Sequence, residues 1–412
     1  PNWFEVNYAH RYLASGDRLA LAAQGAGPQE IRVSGITTET LALYDVTDPI
    51  KPVAVTATVE AEDGGYALRL QSELPAGEER YEALALGVAH GVAGLALVTP
   101  SDWRSPDHGA DYLIISHPDF LAAIQPLAAR RAAQGLRVAV VNVQDLYDEF
   151  AYGLPDPEGI RALIRYAYQN WQRPAPAYVL LVGDGNFDPK SNLGRGEISY
   201  IPPYLADVDP WMGETAADNR YVCVDGDDIF PDLHLGRLPV KTAEQAEAMV
   251  AKIAAYEATA PGDWQRQLTF VADDPDSSGD FRALSDDVAN NHTPPPYAVE
   301  RIYYGLPPHE TVTKTRNAIT AAYNAGRLII SYIGHSSIQA WASPIFWDIP
   351  RVNALTNTVY PFLAPMTCLE GTYHYPSAPG TDNSSLSETA VRVANKGAIA
   401  SFAPTGLGIA TG

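Results

Sequence analysis

DYLIISHPDFLAAIQPLAARRAAQGLRVAVVNV, residues 111–143, is the stretch that decides the fold. It opens on a short apolar run, DYLIIS. Phe120, Leu121, Ile124 and Leu127 then recur at the spacing that brings side chains to one face of a helix, and Gly135 can stop that helix. Pro126 falls inside it, where the missing N–H predicts a kink or a break. LRVAVVNV (136–143) is a second apolar run. Two buried runs joined by an amphipathic helix read as a βαβ unit with parallel strands.

The pattern continues outward. PEGIRALIRYAYQNW (157–171) places Ile160, Leu163, Ile164, Ala167 and Trp171 on one helical face, and the run AYVLLVGDG (177–185) follows. HLGRLPV, QLTFVAD, AVERIYY, RLIISYIG, PFLAPMT and GAIASFA read as further strands. Residues 242–258, 280–290, 311–325 and 385–396 read as helices between most of them. The expected class is α/β over residues 111–412: a mostly parallel sheet flanked by helices, in one domain or two side-by-side subdomains. Residues 1–105 differ. EIRVSGI, VAVTATVEAE and GYALRLQSE alternate with period two between Gly, Pro and Asp turns, which predicts an all-β, sandwich-like domain. TPSDWRSPDHGA (99–110) reads as a linker.

Of the 412 residues, 46% are hydrophobic and 19% charged, ordinary values for a folded chain. The net charge of −21 argues against nucleic-acid or anionic-membrane partners, which need clustered Lys and Arg. No apolar run reaches the ~18 residues of a membrane span. Two cysteines, Cys223 and Cys368, exclude a disulfide framework and a Cys-rich zinc site, though not a single bridge. The abrupt start at Pro1 and stop at TGLGIATG suggest a segment of a longer precursor, whose remainder would be a partner.

Ligands of open α/β sheets bind beyond the carboxyl ends of the strands. Polar residues follow apolar runs at four such places: GDGNFD, ADD, GHSS and CLEG. In the last two, His335 and Cys368 each end a buried run. Neighbouring parallel strands would present an imidazole and a thiol on one rim, the requirement for a cysteine nucleophile. Backbone N–H groups around Gly334 and Ser336, and at Cys368, could then receive an oxyanion. Spacing alone balances this against a small buried cysteine and a turn histidine.

Four ordered segments tip the balance by resemblance. YIGHSSIQAWAS resembles the Gly-His segment of the gingipain-type cysteine peptidases, which share the caspase-like fold, with Trp341 in place of the family's Trp. MTCLEG is similar to the catalytic Cys segment, with Gly371 three residues on. YVLLVGDGNFDPK with YIPPY, and ADNRYVCVDGDDIFPDLHLGRLPV, resemble two further family blocks. The resemblance implies hydrolysis of peptide bonds in a protein or peptide substrate, with Cys368 as nucleophile and His335 as general acid/base. It places Trp341 at the substrate site and Asp218 in a pocket preferring a basic residue before the cut, where the rival is a turn cap. It also implies a secreted or bacterial cell-surface setting. Two features depart from the family: Ser336 stands where the family has Gly, and the peptidase domain stops early, so it is expected to be incomplete at its C-terminus.

Asp184 and Glu197 are candidates, by position only, for the group that orients His335. The acidic loop around Asp225, Asp227 and Asp228 suits structural calcium, which the resemblance also implies; solvated turns are the alternative. No organic cofactor is expected. Two other functions share the fold: a transpeptidase using the same acyl-enzyme, and a catalytically silent surface or assembly protein.

Overall fold

A computed structural model of the chain describes residues 11–91, 94 and 97–408. Residues 1–10 and 409–412, the outer ends of the two expected domains, lie outside the described residues, as does the end of TGLGIATG. The chain divides into two units, Pro1–Thr99 and Pro100–Gly412.

Among described residues the strands of the first unit pair antiparallel. β1 (Arg18–Ile36) and β5 (Gly65–Ala85) pair along most of their length. β2 (Leu41–Asp45), β3 (Val53–Ala54) and β4 (Thr58–Glu62) complete the sheet, β2 pairing with one end of β5 and β4 with the other. The sandwich-like core comes from this single sheet, because its long strands serve twice. Leu21, Ala23, Tyr81 and Ala83 from one half share an apolar cluster with Ile31, Val33, Leu68 and Leu70 from the other.

The second unit holds two parallel sheets. The first contains β6 (Tyr112–Ser116), β7 (Val138–Asn142), β8 (Tyr178–Val182) and, beyond the ribbon of β9 (Leu205–Asp209) and β10 (Gly213–Ala216), β11 (His234–Leu238). Their order is β11-β8-β6-β7. The second contains β12 (Gln267–Ala272), β13 (Ala298–Tyr303), β14 (Ile329–Ile333) and, beyond the small ribbon of β15 (Ala340–Trp341) and β16 (Trp347–Asp348), β17 (Phe362–Met366) and β18 (Ala400–Ser401). Here the order is β13-β12-β14-β17-β18.

Helices cover both faces of each sheet, as period-free apolar strands require. α1 (Leu121–Ala133) and α4 (Ala243–Ala258) bury Ile124, Leu127 and Met249 against Ile114, Leu180 and Val182. α2 (Val143–Phe150) and α3 (Pro157–Asn170) cover Leu113, Ile115 and Leu181 from the other side. On the second sheet α5 (Phe281–Asn291) covers one face. α6 (Val312–Ala325), α7 (Ile349–Asn353) and α8 (Leu386–Arg392) share a cluster with Ile330, Tyr332 and Leu363 on the other. That cluster also holds the residues under α1 and α4, so one core joins the two sheets. Pro126 is accommodated inside α1 without ending it.

Residues 100–110 are fastened to the second unit and do not act as a free linker. Glu149 on α2 accepts the backbone N–H of Trp103 at 3.1 Å and of Arg104 at 2.8 Å. The Trp171 indole donates to the Trp103 carbonyl at 3.1 Å, and the two rings lie 6.1 Å apart with His108 beside both. Trp103→Ala should therefore destabilise the second unit by about 2–3 kcal/mol, less than the ~3–5 kcal/mol of a fully buried aromatic because Trp103 is only partly buried. Thermal unfolding followed by tryptophan fluorescence checks this; an unchanged transition would mean the segment only rests on the helices.

Candidate active site

The candidate site sits where three adjacent strands end. β14 lies between β12 and β17, and Ile333 pairs with Ala272 on one side and Met366 on the other. Each strand passes its next residues to the same rim. Beyond β12 comes Asp276, beyond β14 His335, beyond β17 Cys368. His335 and Cys368 both line a cleft of about 890 Å³ that is otherwise mostly apolar: Trp211, Phe281, Leu284, Val288, Met366 and Phe402 contribute to its walls.

Direct hydrogen bonds hold the two rims together. The Thr367 hydroxyl donates to the Gly334 carbonyl at 2.6 Å, and the Ser336 hydroxyl donates to the Cys368 carbonyl. Ser336 thus uses its side chain to tie the histidine turn to the cysteine turn, a bond that glycine could not make. Gly334 is required for close approach. Its φ is +158°, and a Cβ there would stand 2.5 Å from the Tyr332 hydroxyl and 2.6 Å from Asp273.

His335 is held from two sides. Its Nε2 lies 2.8 Å from Asp276 Oδ2, and its ring meets the Phe281 ring edge-on at 5.2 Å. A carboxylate only accepts, so Nε2 carries the proton and Nδ1 is left as the basic nitrogen. Asp276 is itself anchored: it accepts the Ser278 N–H at 2.7 Å, and it exchanges backbone bonds with Gly279. The Ser278 N–H first, and then His335, hold its carboxyl below the usual range. The Cys368 thiol is free and partly exposed, and the Gly408 N–H approaches Sγ at 3.3 Å. Cys223 is also free, and buried.

Asp276 is the residue that sequence reasoning missed. ADD was recognised as a strand end, but its position beside His335 depends on β12 and β14 being neighbours, which chain order does not reveal. Asp184 and Glu197 are not brought to the imidazole. Both engage Lys241, at 3.4 and 2.6 Å, beyond the first sheet. Burial raises the Asp184 carboxyl, opposed by Lys241 and Arg392.

Asp218 and Trp341 need correction. Asp218 does not line the cleft with His335 and Cys368. Its Oδ2 pairs with Arg237 at 2.7 Å, and its Oδ1 accepts from Tyr373 at 2.7 Å. Arg237 spends its remaining donors on the carbonyls of Gly183, Ile201 and Pro202. The carboxylate is an internal counter-ion with its lone pairs taken. Trp341 is 1% exposed, so it cannot touch substrate; it stacks on Tyr332 at 4.3 Å. His374 is likewise buried away from the cleft, and burial pushes its imidazole down to about 4.

Asp225, Asp227 and Asp228 lie on an exposed loop, where Asp228 accepts the Phe230 N–H at 2.9 Å. They do not fit the expected calcium site: among the described residues no group of three or more His, Cys, Asp or Glu is arranged to hold a metal ion. Among the described residues, too, no helix is long and apolar enough to cross a membrane.

Comparison with known proteins is consistent with this geometry. A sequence model described as peptidase family C25 matches residues 105–412. No curated protein matches the chain. Among solved structures, the chain is similar to the Arg-specific cysteine proteinase gingipain R (RGPB), at 20% identity and TM-score 0.57, over 75% of this chain and 65% of that one. It is also similar to the complex of Porphyromonas gingivalis RgpB pro- and mature domains, at 21% identity and TM-score 0.56, over 72% and 64%. A third structure, described as a protease, matches at 22% identity and TM-score 0.56, over 72% and 59%. The chain therefore spans about three-fifths of the length of these structures, and it shares their caspase-like fold.

Two substitutions separate architecture from chemistry. Asp218→Asn leaves the buried Arg237 without its counter-charge and should cost about 3–5 kcal/mol of stability. Gly334→Ala overpacks the turn and should cost about 1–3 kcal/mol. Urea unfolding measures both; a fully stable Asp218→Asn would free that carboxylate for another role.

Proposed function

This chain belongs to peptidase family C25, and from that premise we propose that it is a cysteine endopeptidase whose catalytic groups are Cys368 and His335, with Asp276 orienting the imidazole. One observation carries the reading: three neighbouring strands, β12, β14 and β17, deliver a carboxylate, an imidazole and a thiol to one rim.

The reaction follows from those groups. His335 Nδ1 takes the thiol proton, and the sulfur of Cys368 attacks the scissile carbonyl carbon. The imidazolium, held by Asp276, returns the proton to the leaving nitrogen as the C–N bond breaks, leaving a thioester. Water then gives its proton to Nδ1 while its oxygen attacks the thioester, releasing the carboxylic product and restoring the thiol. Asp276 keeps the productive tautomer and stabilises the charged ring.

The cleft supports a basic residue before the cut, through Asp287 and not Asp218. Asp287 is the acidic side chain on the cleft wall, beside Leu284, Val288, Trp211 and Phe402. Its Oδ1 accepts from Asn291 at 2.7 Å and its Oδ2 lies 3.5 Å from His292 Nε2, yet the side chain remains 57% exposed, which leaves room for a guanidinium or ammonium. The apolar walls suit the methylene stem of Arg or Lys. A protein or peptide substrate, a secreted or surface setting and a precursor segment as partner complete this reading.

Labelling with a peptidyl acyloxymethyl ketone ending in Arg should be lost in Cys368→Ala and His335→Ala. Asp276→Ala should lower kcat on the order of 10²-fold. In a peptide-library digest, Asp287→Asn should erase the preference for a basic residue. Absence of labelling under reducing conditions would end the peptidase assignment, and cuts indifferent to the preceding residue would end the role of Asp287.

A further inference from the structure

Glu370 is a buried acid two residues beyond Cys368 that the reaction above does not use. It has no exposed surface. Its Oε2 accepts the Trp341 indole N–H at 2.6 Å, and its Oε1 accepts the Ser387 hydroxyl at 3.1 Å. Ser387 stands in the first turn of α8 and meets the Ser401 hydroxyl of β18 at 2.9 Å. The carboxyl is therefore fixed from both ends.

Trp341 carries the contact onward. It stacks on Tyr332 with the ring planes 12° apart, and the Tyr332 hydroxyl donates to the His335 carbonyl at 2.7 Å. The Ala342 N–H donates to that same carbonyl at 2.7 Å. A continuous path thus runs from the cysteine turn, through Glu370, Trp341 and Tyr332, to the backbone of His335. On the opposite side the Ser336–Cys368 and Thr367–Gly334 bonds close the ring.

Resting on the peptidase reading, we propose that Glu370 is a positioning residue that locks the His335 turn to the Cys368 turn through Trp341, and so sets the alignment of imidazole and thiol without touching substrate. The carboxyl can do this because, among the described residues, nothing ionic competes for it. The titratable groups that feel it are the phenols of Tyr323 on α6 and Tyr332 on β14, and no cation is among them. Burial pushes the carboxyl up to about 8, opposed by the bonds from Trp341 and Ser387. The folded state then keeps this proton through a range where the unfolded chain, near 4.5, has already released it. Stability from this group falls as pH rises through that window, up to about 8. A glutamine has the same shape and no such dependence.

The test uses the whole chain with Glu370→Gln, Glu370→Ala, Trp341→Phe and the Ala/Phe double variant. Three readouts are followed: kcat and KM on a fluorogenic Arg peptide, the iodoacetamide alkylation rate of Cys368 from pH 5 to 9, and the Trp341 indole N–H signal, assigned by its loss in Trp341→Phe. Glu370→Gln should keep kcat and the indole signal near wild type at pH 7, and it should gain stability over wild type as pH rises. Glu370→Ala should lower kcat about 10- to 100-fold with KM little changed, displace the indole signal and alter the alkylation profile. The double variant should be no worse than the worse single variant, because both break one path. Should Glu370→Ala fail to fold, Trp341→Phe removes the N–H donor together with part of the stacked ring and must show the same kcat loss. Folded variants with wild-type kcat and alkylation, or losses that simply add, would overturn the proposal. If the wild type cleaves no peptide, the peptidase reading fails by itself, and the alkylation profile and indole signal still decide whether Glu370 sets the thiol environment.

Discussion

The register of β14 between its two neighbours is the constraint on which the site depends. Side chains alternate along a strand, so a slip of one residue against β12 or β17 would send the apolar set to the wrong face. Val271, Ile330, Tyr332 and Leu363 sit in the core on one side, and Phe270 packs under α5 on the other. Each fully buried side chain is worth about 1.5–3 kcal/mol relative to exposure, so a slipped pairing is heavily disfavoured. Thus the cost of misplacing apolar residues fixes where Asp276, His335 and Cys368 emerge. The polar contacts at the rim then refine a geometry that the core has already chosen.

Much of this was legible in the residues. Alternating apolar runs and amphipathic helices identified the strands of both parallel sheets, and the helix expected at 311–325 is seen at Val312–Ala325. Two polar residues ending apolar runs, His335 and Cys368, were visible as a pair because they are consecutive strand ends in chain order. Asp276 was hidden because β12 precedes β14 in the chain with β13 between them, yet lies against it in the sheet. Sequence order and spatial order diverge at that crossover. Trp341 misled for a different reason: an aromatic near a catalytic histidine reads as a wall of the cleft until burial is known. Asp218 misled because Arg237, which neutralises it, lies on β11, further along the chain.

The two sheets divide the work. The second carries His335 and Cys368, the proposed reacting groups; the first ends in a network of buried charges. Asp184 approaches Lys241 at 3.4 Å and Arg392 at 3.8 Å, and Arg392 reaches Glu388 at 3.4 Å. Burial, and then the neighbouring Asp184, raise the Glu388 carboxyl. Buried ion pairs seldom add net stability, because desolvation offsets their attraction. Their use here is better understood by what they fasten. Glu197 accepts the Ser377 N–H, Phe187 donates to the His374 carbonyl at 3.0 Å, and Asp218 accepts from Tyr373. All three acceptors and donors of the first sheet's rim grip residues 373–377, a few positions beyond the cysteine turn.

Glu370 and Glu388 show two solutions to holding a carboxyl in a dry interior. Glu388 stands among charges, paired with Arg392 and capping the backbone N–H of Ser385 at 2.7 Å. Glu370 stands among an indole, a hydroxyl and two phenols, with no counter-ion among the described residues. In the first arrangement Arg392 opposes burial and the nearby Asp184, which still raise the carboxyl to about 8. The second favours the neutral acid, whose bonds depend on shape and direction more than on charge. A directional contact suits a residue that must hold one indole at one angle. An ionic one suits a residue that must keep a long loop against a neighbouring sheet. Glu370 follows Cys368 by two residues and Glu388 stands on α8, so the segment between them is fastened at one end by an indole and a hydroxyl and at the other by a cluster that includes Arg392.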